Sequence, residues 1–143
     1  MSSLFAAVNH VGFVVCSLEE GSRFLINVLG FQYVEGRSGT ISAEGDLMTR
    51  RFGVGASAEG KFAFLRLGDT FVELLEWTAP NRNESSPLNS DVGGRHLALS
   101  VSDMAAAVDR LRGIDGVTVR EPNDAGYVYC ATPFGLEIQL IPV

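Results

Sequence analysis

The stretch "NHVGFVVCSLEEGSRFLINVLGF" (residues 9–31) has a near copy later in the chain, "RHLALSVSDMAAAVDRLRGIDGV" (residues 95–117). Each copy begins with an apolar run typical of a strand and continues with apolar residues at helical spacing that end near a glycine. The repeat therefore divides the chain into two halves that both begin with a strand and a helix. Each half also places one of the chain's two histidines, His10 and His96, at the start of its strand.

Helix start signals follow the first strand of each half. Ser17 and Glu20 have the spacing of a capping box, and Gly30 suits the left-handed residue that ends many helices. In the second half, Ser102 or Asp103 can cap the helix. The two halves are thus predicted to share a strand–helix beginning.

Three short strands are predicted after each helix. They cover residues 31–36, 61–68 and 70–77 in the first half, and residues 117–121, 127–132 and 136–143 in the second. The pattern predicts an α+β fold of two βαβββ modules within one domain. Module 1 covers about residues 6–78, a polar linker covers 79–93, and module 2 covers about 94–143.

The segment 35–60 is rich in Gly and Ser and has only a weak apolar pattern. It is predicted to be a long loop. A loop of this length in a small domain is either a functional lid or a merely mobile insertion.

Composition excludes several classes of function. The chain has 143 residues, 46% of them hydrophobic, which is enough for the core of one domain. Its net charge of −6 disfavours nucleic acid as a partner, and no apolar run approaches the roughly 18 residues of a membrane span. The N-terminus is not a convincing signal peptide, and Cys16 and Cys130 form no CxxC motif. We therefore expect reduced thiols and a cytoplasmic location.

Acidic residues lie at matched places in the last strand of each half. Glu73 lies between apolar neighbours in "FVELLEW", and Glu137 does so in "GLEIQLI", where it shares its face with Gln139. If the two halves are equivalent, His10 corresponds to His96 and Glu73 corresponds to Glu137.

A divalent cation would explain this combination of residues. Two acids buried alone would each cost several kcal/mol or become protonated. Imidazole nitrogen favours Zn, Ni, Co, Mn or Fe(II) over Ca or Mg, and the small residues Gly12 and Ala98 would leave space beside the metal for chemistry. The alternative is that each His is a half-buried residue bonded to backbone and each Glu faces solvent. The joint occurrence of both pairs favours the metal.

Four stretches that together span most of the chain resemble the vicinal oxygen chelate superfamily. They are residues 9–31, 65–77 ("LRLGDTFVELLEW"), 96–112 ("HLALSVSDMAAAVDRLR") and 132–141 ("TPFGLEIQLI"). The superfamily contains glyoxalase I, methylmalonyl-CoA epimerase, extradiol dioxygenases, and fosfomycin and bleomycin resistance proteins. The resemblance implies paired βαβββ modules whose mixed sheets curl around a central metal cup.

The resemblance also implies which residues hold the metal and what the metal does. The ligand positions carry over to His10, Glu73, His96 and Glu137. Glyoxalase I has the same His, Glu, His, Glu set, and the epimerase has Gln in the place of Glu73. The dioxygenases and fosfomycin-type transferases do not need a carboxylate at that place, so Glu73 favours the lyase and isomerase branch.

The implied reaction in that branch removes an α-proton to form a metal-stabilised enediolate. Glu137 would be the general base, and Glu73 would be the steadier ligand or the base on the opposite face. The alternatives are an extradiol-type dioxygenase with Fe(II) and an antibiotic-binding resistance protein without catalysis.

Other side chains are predicted to contact the substrate, which we expect to be a small molecule. Arg50, Arg51 and Arg120 could bind an anionic group, or could be solvated surface charges. Trp77 could form a wall of the pocket, or could be a core or dimer-interface residue. Members of the superfamily usually form homodimers, in some of which two chains build the cup, and we expect a homodimer here.

Overall fold

The computed structural model describes residues 4–143. The chain divides into two compact units, the first ending at Arg82 and the second beginning at Asn83. No helix in the described range is long and apolar enough to cross a membrane.

Each unit contains a strand, a helix and three further strands, and unit 1 has an additional short helix. Unit 1 comprises β1 (Val11–Val14), α1 (Leu18–Asn27), β2 (Gln32–Ile41), α2 (Leu47–Phe52), β3 (Glu59–Leu67) and β4 (Thr70–Thr78). Unit 2 comprises β5 (Leu97–Val101), α3 (Met104–Arg112), β6 (Thr118–Val119), β7 (Val128–Ala131) and β8 (Glu137–Pro142).

The two sheets have the same topology. The strand order is β1-β4-β3-β2 in unit 1 and β5-β8-β7-β6 in unit 2. In each sheet the first strand pairs in parallel with the last, and the other pairs are antiparallel. The predicted α+β fold of two βαβββ modules is confirmed.

The predicted helix caps are present at both main helices. The side chain of Ser17 accepts a hydrogen bond from the backbone N–H of Glu20 at 3.2 Å. Asp103, rather than Ser102, caps α3 by accepting from the N–H of Ala106 at 2.9 Å. Such a cap typically contributes about 1 kcal/mol to stability. Both helices therefore begin where the sequence predicts.

Each main helix packs on the sheet of its own unit. Helix α1 packs on β3 and β4, and α3 packs on β6 and β8. Val72 and Leu74 are fully buried on one face of β4, as Ile138 and Leu140 are in β8. Because side chains alternate along a strand, Glu73 projects from the face of β4 opposite to this core.

Most of the segment predicted as a long loop has regular structure. Strand β2 extends to Ile41, α2 covers Leu47–Phe52, and β3 begins at Glu59. The prediction of a structureless loop over residues 35–60 is therefore wrong for much of that range. The reason is that nearly all side chains of β2 are exposed, so the strand shows no apolar alternation.

Glu76, near the end of β4, contacts the first residue of α1. Its carboxylate accepts the backbone N–H of Leu18 at 2.8 Å, in a partly buried contact at the start of α1. A carboxylate at this place satisfies a helix N–H that lacks an intrahelical partner and complements the helix dipole. Glu76 thus joins the end of β4 to the beginning of α1.

Candidate metal centre

In unit 1 the structure brings His10 and Glu73 together. His10 directly precedes β1, and Glu73 in β4 is the register partner of Gly12. The imidazole Nε2 lies 3.3 Å from the carboxylate Oε2, and the two side chains are 32% and 18% exposed. The pair is therefore half-buried but accessible from solvent.

The second nitrogen of His10 determines what the first can do. Nδ1 lies 2.8 Å from the side-chain oxygen of Asn9, and the imidazole meets the Phe64 ring at an angle of 71° with ring centroids 4.8 Å apart. With the Asn9 oxygen as acceptor, Nδ1 is a donor, and Nε2 faces Glu73 either as an N–H donor or as a lone pair that a metal ion could use. Two electron-rich atoms this close need a cation between them, either a proton or a metal ion. This arrangement fits one half of a metal site with its outer support.

In unit 2 the predicted residues have different partners. Glu137 forms an ion pair with Arg120, and its Oε1 also accepts a hydrogen bond from the Asn89 amide at 3.3 Å. The His96 ring contacts Tyr129 edge to face, with ring centroids 5.3 Å apart. Unit 2 therefore holds Glu137 through Arg120 and holds His96 through an aromatic ring.

Strand register identifies the counterpart of Glu73 in unit 2. Glu73 pairs with Gly12, two residues after His10, and the corresponding pair two residues after His96 is Ala98 with Gln139. The sequence-based equivalence of Glu73 with Glu137 is therefore wrong at the level of register.

Gln139 is a polar side chain in a buried stretch of β8. It is 9% exposed and lies between the buried Ile138 and Leu140, so it is one of the few buried polar residues in the described part of the chain. A buried amide needs partners for its oxygen and nitrogen. Sequence reasoning placed Gln139 on the same face as Glu137 but assigned it no role.

Within either unit, the described residues contain no group of three or more His, Cys, Asp or Glu side chains that could hold a metal. Metal binding by His10, Glu73, His96 and Glu137 stays a prediction.

The predicted substrate-binding arginines differ in their partners. Arg50 forms an ion pair with Asp46 at 3.0 Å on α2, and Arg120 is paired with Glu137. Arg51 is exposed on α2. Two of these three guanidinium groups are thus already paired with carboxylates.

Trp77 lies on β4, on the same face as Glu73. Its ring covers Gly60, where a Cβ atom would lie 2.8 Å from the indole, and it lies 6.2 Å from the ring of Phe52. Gly60 is therefore needed for close packing of the indole across the sheet. A role of Trp77 as a pocket wall stays a prediction.

Sequence reasoning missed Arg37. Its guanidinium lies 3.8 Å above the centroid of the Phe64 ring, the same ring that contacts His10. Because Arg37 lies in the segment interpreted as a loop, no signal in the sequence connected it with the histidine.

Cys130 reports on the electrostatics near Glu137. Burial raises the pKa of the Cys130 thiol above its ordinary value, the charge of Glu137 raises it further, and Arg120 partly offsets this. The native thiol therefore stays protonated at a pH where the thiol of the unfolded chain begins to ionise.

The raised pKa predicts slow alkylation of Cys130, because the thiolate is the reactive form of cysteine. Iodoacetamide at pH 8.5 should modify Cys130 at a rate at least roughly tenfold lower than the rate for the exposed Cys16. Peptide mass spectrometry measures both rates, and equal rates in urea are the control; equal rates in the native protein would contradict the expectation.

Comparison with known proteins decides the family. A family model described as the Glyoxalase/Bleomycin resistance protein/Dioxygenase superfamily matches residues 7–140. The chain belongs to this superfamily. A 2-epi-5-epi-valiolone epimerase from an Actinomyces species is 39% identical over an alignment of 145 positions, which covers 94% of this chain and 78% of that protein.

Several solved structures share the fold of this chain. A glyoxalase family protein from Bacillus cereus has a TM-score of 0.72 at 21% identity, covering 98% of this chain and 95% of that one. The trypanothione-dependent glyoxalase I of Leishmania major has a TM-score of 0.64 at 19% identity, covering 96% and 87%. The fosfomycin resistance protein FosX from Listeria monocytogenes, complexed with Mn(II) and a sulfate ion, has a TM-score of 0.62 at 12% identity, covering 97% and 91%.

Proposed function

We propose that this protein is a divalent-metal-dependent epimerase that removes and returns a proton on the carbon next to the carbonyl of a small, oxygen-rich ketone. The observation that carries the proposal is the contact of His10 Nε2 with Glu73 Oε2 at 3.3 Å, which places an imidazole nitrogen and a carboxylate oxygen, both common metal ligands, side by side. The likeness to an epimerase over 94% of the chain supports the reaction class. Epimerisation belongs to the lyase and isomerase branch that Glu73 favours.

The proposed ligands are His10, Glu73 and His96, with a fourth oxygen from β8. The sequence predicts Glu137 for that oxygen, and the register favours Gln139. Catalytic transition-metal sites commonly have at least three protein ligands, so the histidine and carboxylate of unit 1 would not suffice by themselves. Zn, Ni, Co, Mn and Fe(II) all suit imidazole and carboxylate ligands. When bound, such an ion would polarise the substrate carbonyl and stabilise the negative charge that develops as the proton leaves.

Proton transfer is proposed for the two carboxylates. Arg120 and Asn89 both donate to Oε1 of Glu137, so Oε2 is the oxygen that can take a proton. Arg120 would hold this carboxylate in one orientation, which is the main requirement for a positioned base. Glu73 would serve as a ligand and as the second acid–base group for the opposite face of the substrate.

Proton exchange in heavy water tests the function directly. Purified protein loaded with Mn(II) or Zn(II) should exchange the α-proton of 2-epi-5-epi-valiolone for deuterium and form its epimer, and both events are visible in ¹H NMR spectra. Exchange should stop on chelation and return with added metal. Exchange confined to a glutathione hemithioacetal would indicate a glyoxalase instead.

The alternatives predict other results with the same preparation. Oxygen uptake with a catechol and Fe(II) would indicate a dioxygenase. Tight binding of an antibiotic that survives chelation would indicate a resistance protein. The homodimer and the cytoplasmic location stay predictions from the sequence.

A further inference from the structure

We propose that Arg37 recognises an oxyanion, a phosphate or a carboxylate, carried by the substrate. The proposal rests on the proposed function because it names a substrate class for the same site. The carrying observation is the guanidinium of Arg37, which has no hydrogen-bond or ion-pair partner among residues 4–143 and lies on the aromatic ring that contacts His10.

An irregularity in β2 brings Arg37 to this place. Tyr33 pairs with Leu65 and Ser38 pairs with Ala63, so residues 34–37 all pass opposite Phe64 alone. Gly36 within this bulge has φ of +73°, and the Tyr33 hydroxyl donates to the Ser38 hydroxyl across its base. Such bulges redirect a side chain that regular pairing would place elsewhere.

The bulge places Arg37 one ring away from the pair formed by His10 and Glu73. Phe64 is 5% exposed, so its position is fixed by packing, and it is the register partner of Glu73. One side of its ring carries the guanidinium, 3.8 Å from the centroid, and the imidazole of His10 contacts the same ring. The three side chains therefore form one continuous surface.

Unlike several other arginines of the chain, Arg37 has N–H groups that form no ion pair with a carboxylate of residues 4–143. Those arginines form ion pairs with carboxylates, namely Arg23–Glu19, Arg50–Asp46 and Arg120–Glu137. Over residues 4–143, the guanidinium of Arg37 has only the Phe64 ring as a partner. Stacking uses the flat face of a guanidinium and leaves the N–H groups on its edge free.

Those free donors define the ligand chemistry. A guanidinium edge binds phosphate or carboxylate through two parallel hydrogen bonds, which are stronger than bonds to neutral oxygens. In a chain of net charge −6, an unpaired cation beside the site also offsets the general repulsion of anions. We therefore expect an acidic or phosphorylated ketone to be preferred over its neutral analogue.

Binding of inorganic phosphate and of acetate tests the proposal without any turnover. Arginine Nε–H signals in ¹⁵N NMR spectra would be followed during titration of the wild type, Arg37→Gln and Arg37→Lys, with Arg23→Gln as the charge-matched control. Phosphate should shift the Arg37 signal in the wild type, and Arg37→Gln should weaken binding roughly tenfold or more, with Arg37→Lys in between. Arg23→Gln should bind phosphate like the wild type.

Kinetics supply the second readout. With a ketone phosphate, Arg37→Gln should raise KM roughly tenfold and change kcat little, while the neutral ketone should show no change in KM. Equal phosphate affinity in the wild type and Arg37→Gln, or an equal rise in KM for the neutral ketone, would overturn the proposal. Loss of phosphate binding in Arg37→Gln without any turnover by the wild type would uphold the oxyanion site and refute the proposed epimerase.

Discussion

His10→Ala should lower the affinity for Zn(II) or Mn(II) by roughly a hundredfold or more and reduce epimerisation in proportion. Nε2 of His10 lies 3.3 Å from Glu73 Oε2, so the variant removes one of the two proposed ligand atoms in unit 1. Loss of an outer partner of a metal-bound histidine typically costs 10–100-fold in affinity, and loss of the ligand should cost at least as much. Isothermal titration with each metal measures the affinity, and elemental analysis of the purified protein checks occupancy.

Asn9→Ala is the graded control for this substitution. It keeps Nε2 but removes the oxygen that lies 2.8 Å from Nδ1, so it should reduce affinity by roughly tenfold and no more than His10→Ala does. Both side chains are partly or largely exposed, and both variants should therefore fold. Full metal occupancy in His10→Ala would show that the imidazole is not a ligand. Equal losses in both variants would point to a general effect on the segment before β1.

The fold could be predicted from the sequence because its signals are local and agree with one another. Apolar runs marked β1 and β5, and the Ser17 and Asp103 caps marked the starts of α1 and α3. The predicted elements also recur in both halves, so each half supported the interpretation of the other. A fold can be predicted from a single sequence when the apolar pattern, the helix caps and the internal repeat all indicate the same elements.

The segment from Glu35 to Gly60 could not be predicted for a physical reason. The side chains of β2 are almost all exposed, so the strand is held by backbone pairing to β3 and not by an apolar face. A pattern of burial is the main signal that a single sequence gives for a strand. Arg37 lies in this strand, and its contact with Phe64 depends on a bulge that pairing between distant residues creates.

The candidate site was half predictable. The contact of His10 with Glu73 follows from two neighbouring strands whose patterns were clear. In unit 2, alternation places Glu137 and Gln139 on the same face of β8. It cannot say which of them pairs with Ala98, the residue two positions after His96. That choice depends on the register of β5 with β8, and a two-residue shift preserves the face while it changes the partner.

Gln139→Ala and Glu137→Gln should separate metal binding from proton transfer. Gln139 occupies the register position of Glu73, so Gln139→Ala should weaken metal binding by roughly 10–100-fold. Glu137→Gln keeps the shape of the side chain and removes its capacity as a base. It should keep metal affinity within a few-fold of the wild type and reduce α-proton exchange by roughly 10²–10⁴-fold. Titration calorimetry and exchange in heavy water measure the two quantities on the same samples.

The reverse result would restore the ligand that the sequence alone predicts. If Glu137 holds the metal, Glu137→Gln will lose affinity together with activity, and Gln139→Ala will keep both.

Arg120→Gln is the control for the change of charge in Glu137→Gln. Arg120 and Glu137 form an ion pair, and Arg120→Gln breaks this pair but leaves the carboxylate in place. Arg120→Gln should leave metal affinity nearly unchanged and reduce exchange less than Glu137→Gln does, since it disturbs only the orientation of the base. Equal effects of all three substitutions on metal affinity would show that β8 is distorted as a whole, and would contradict the separate roles of Gln139 and Glu137.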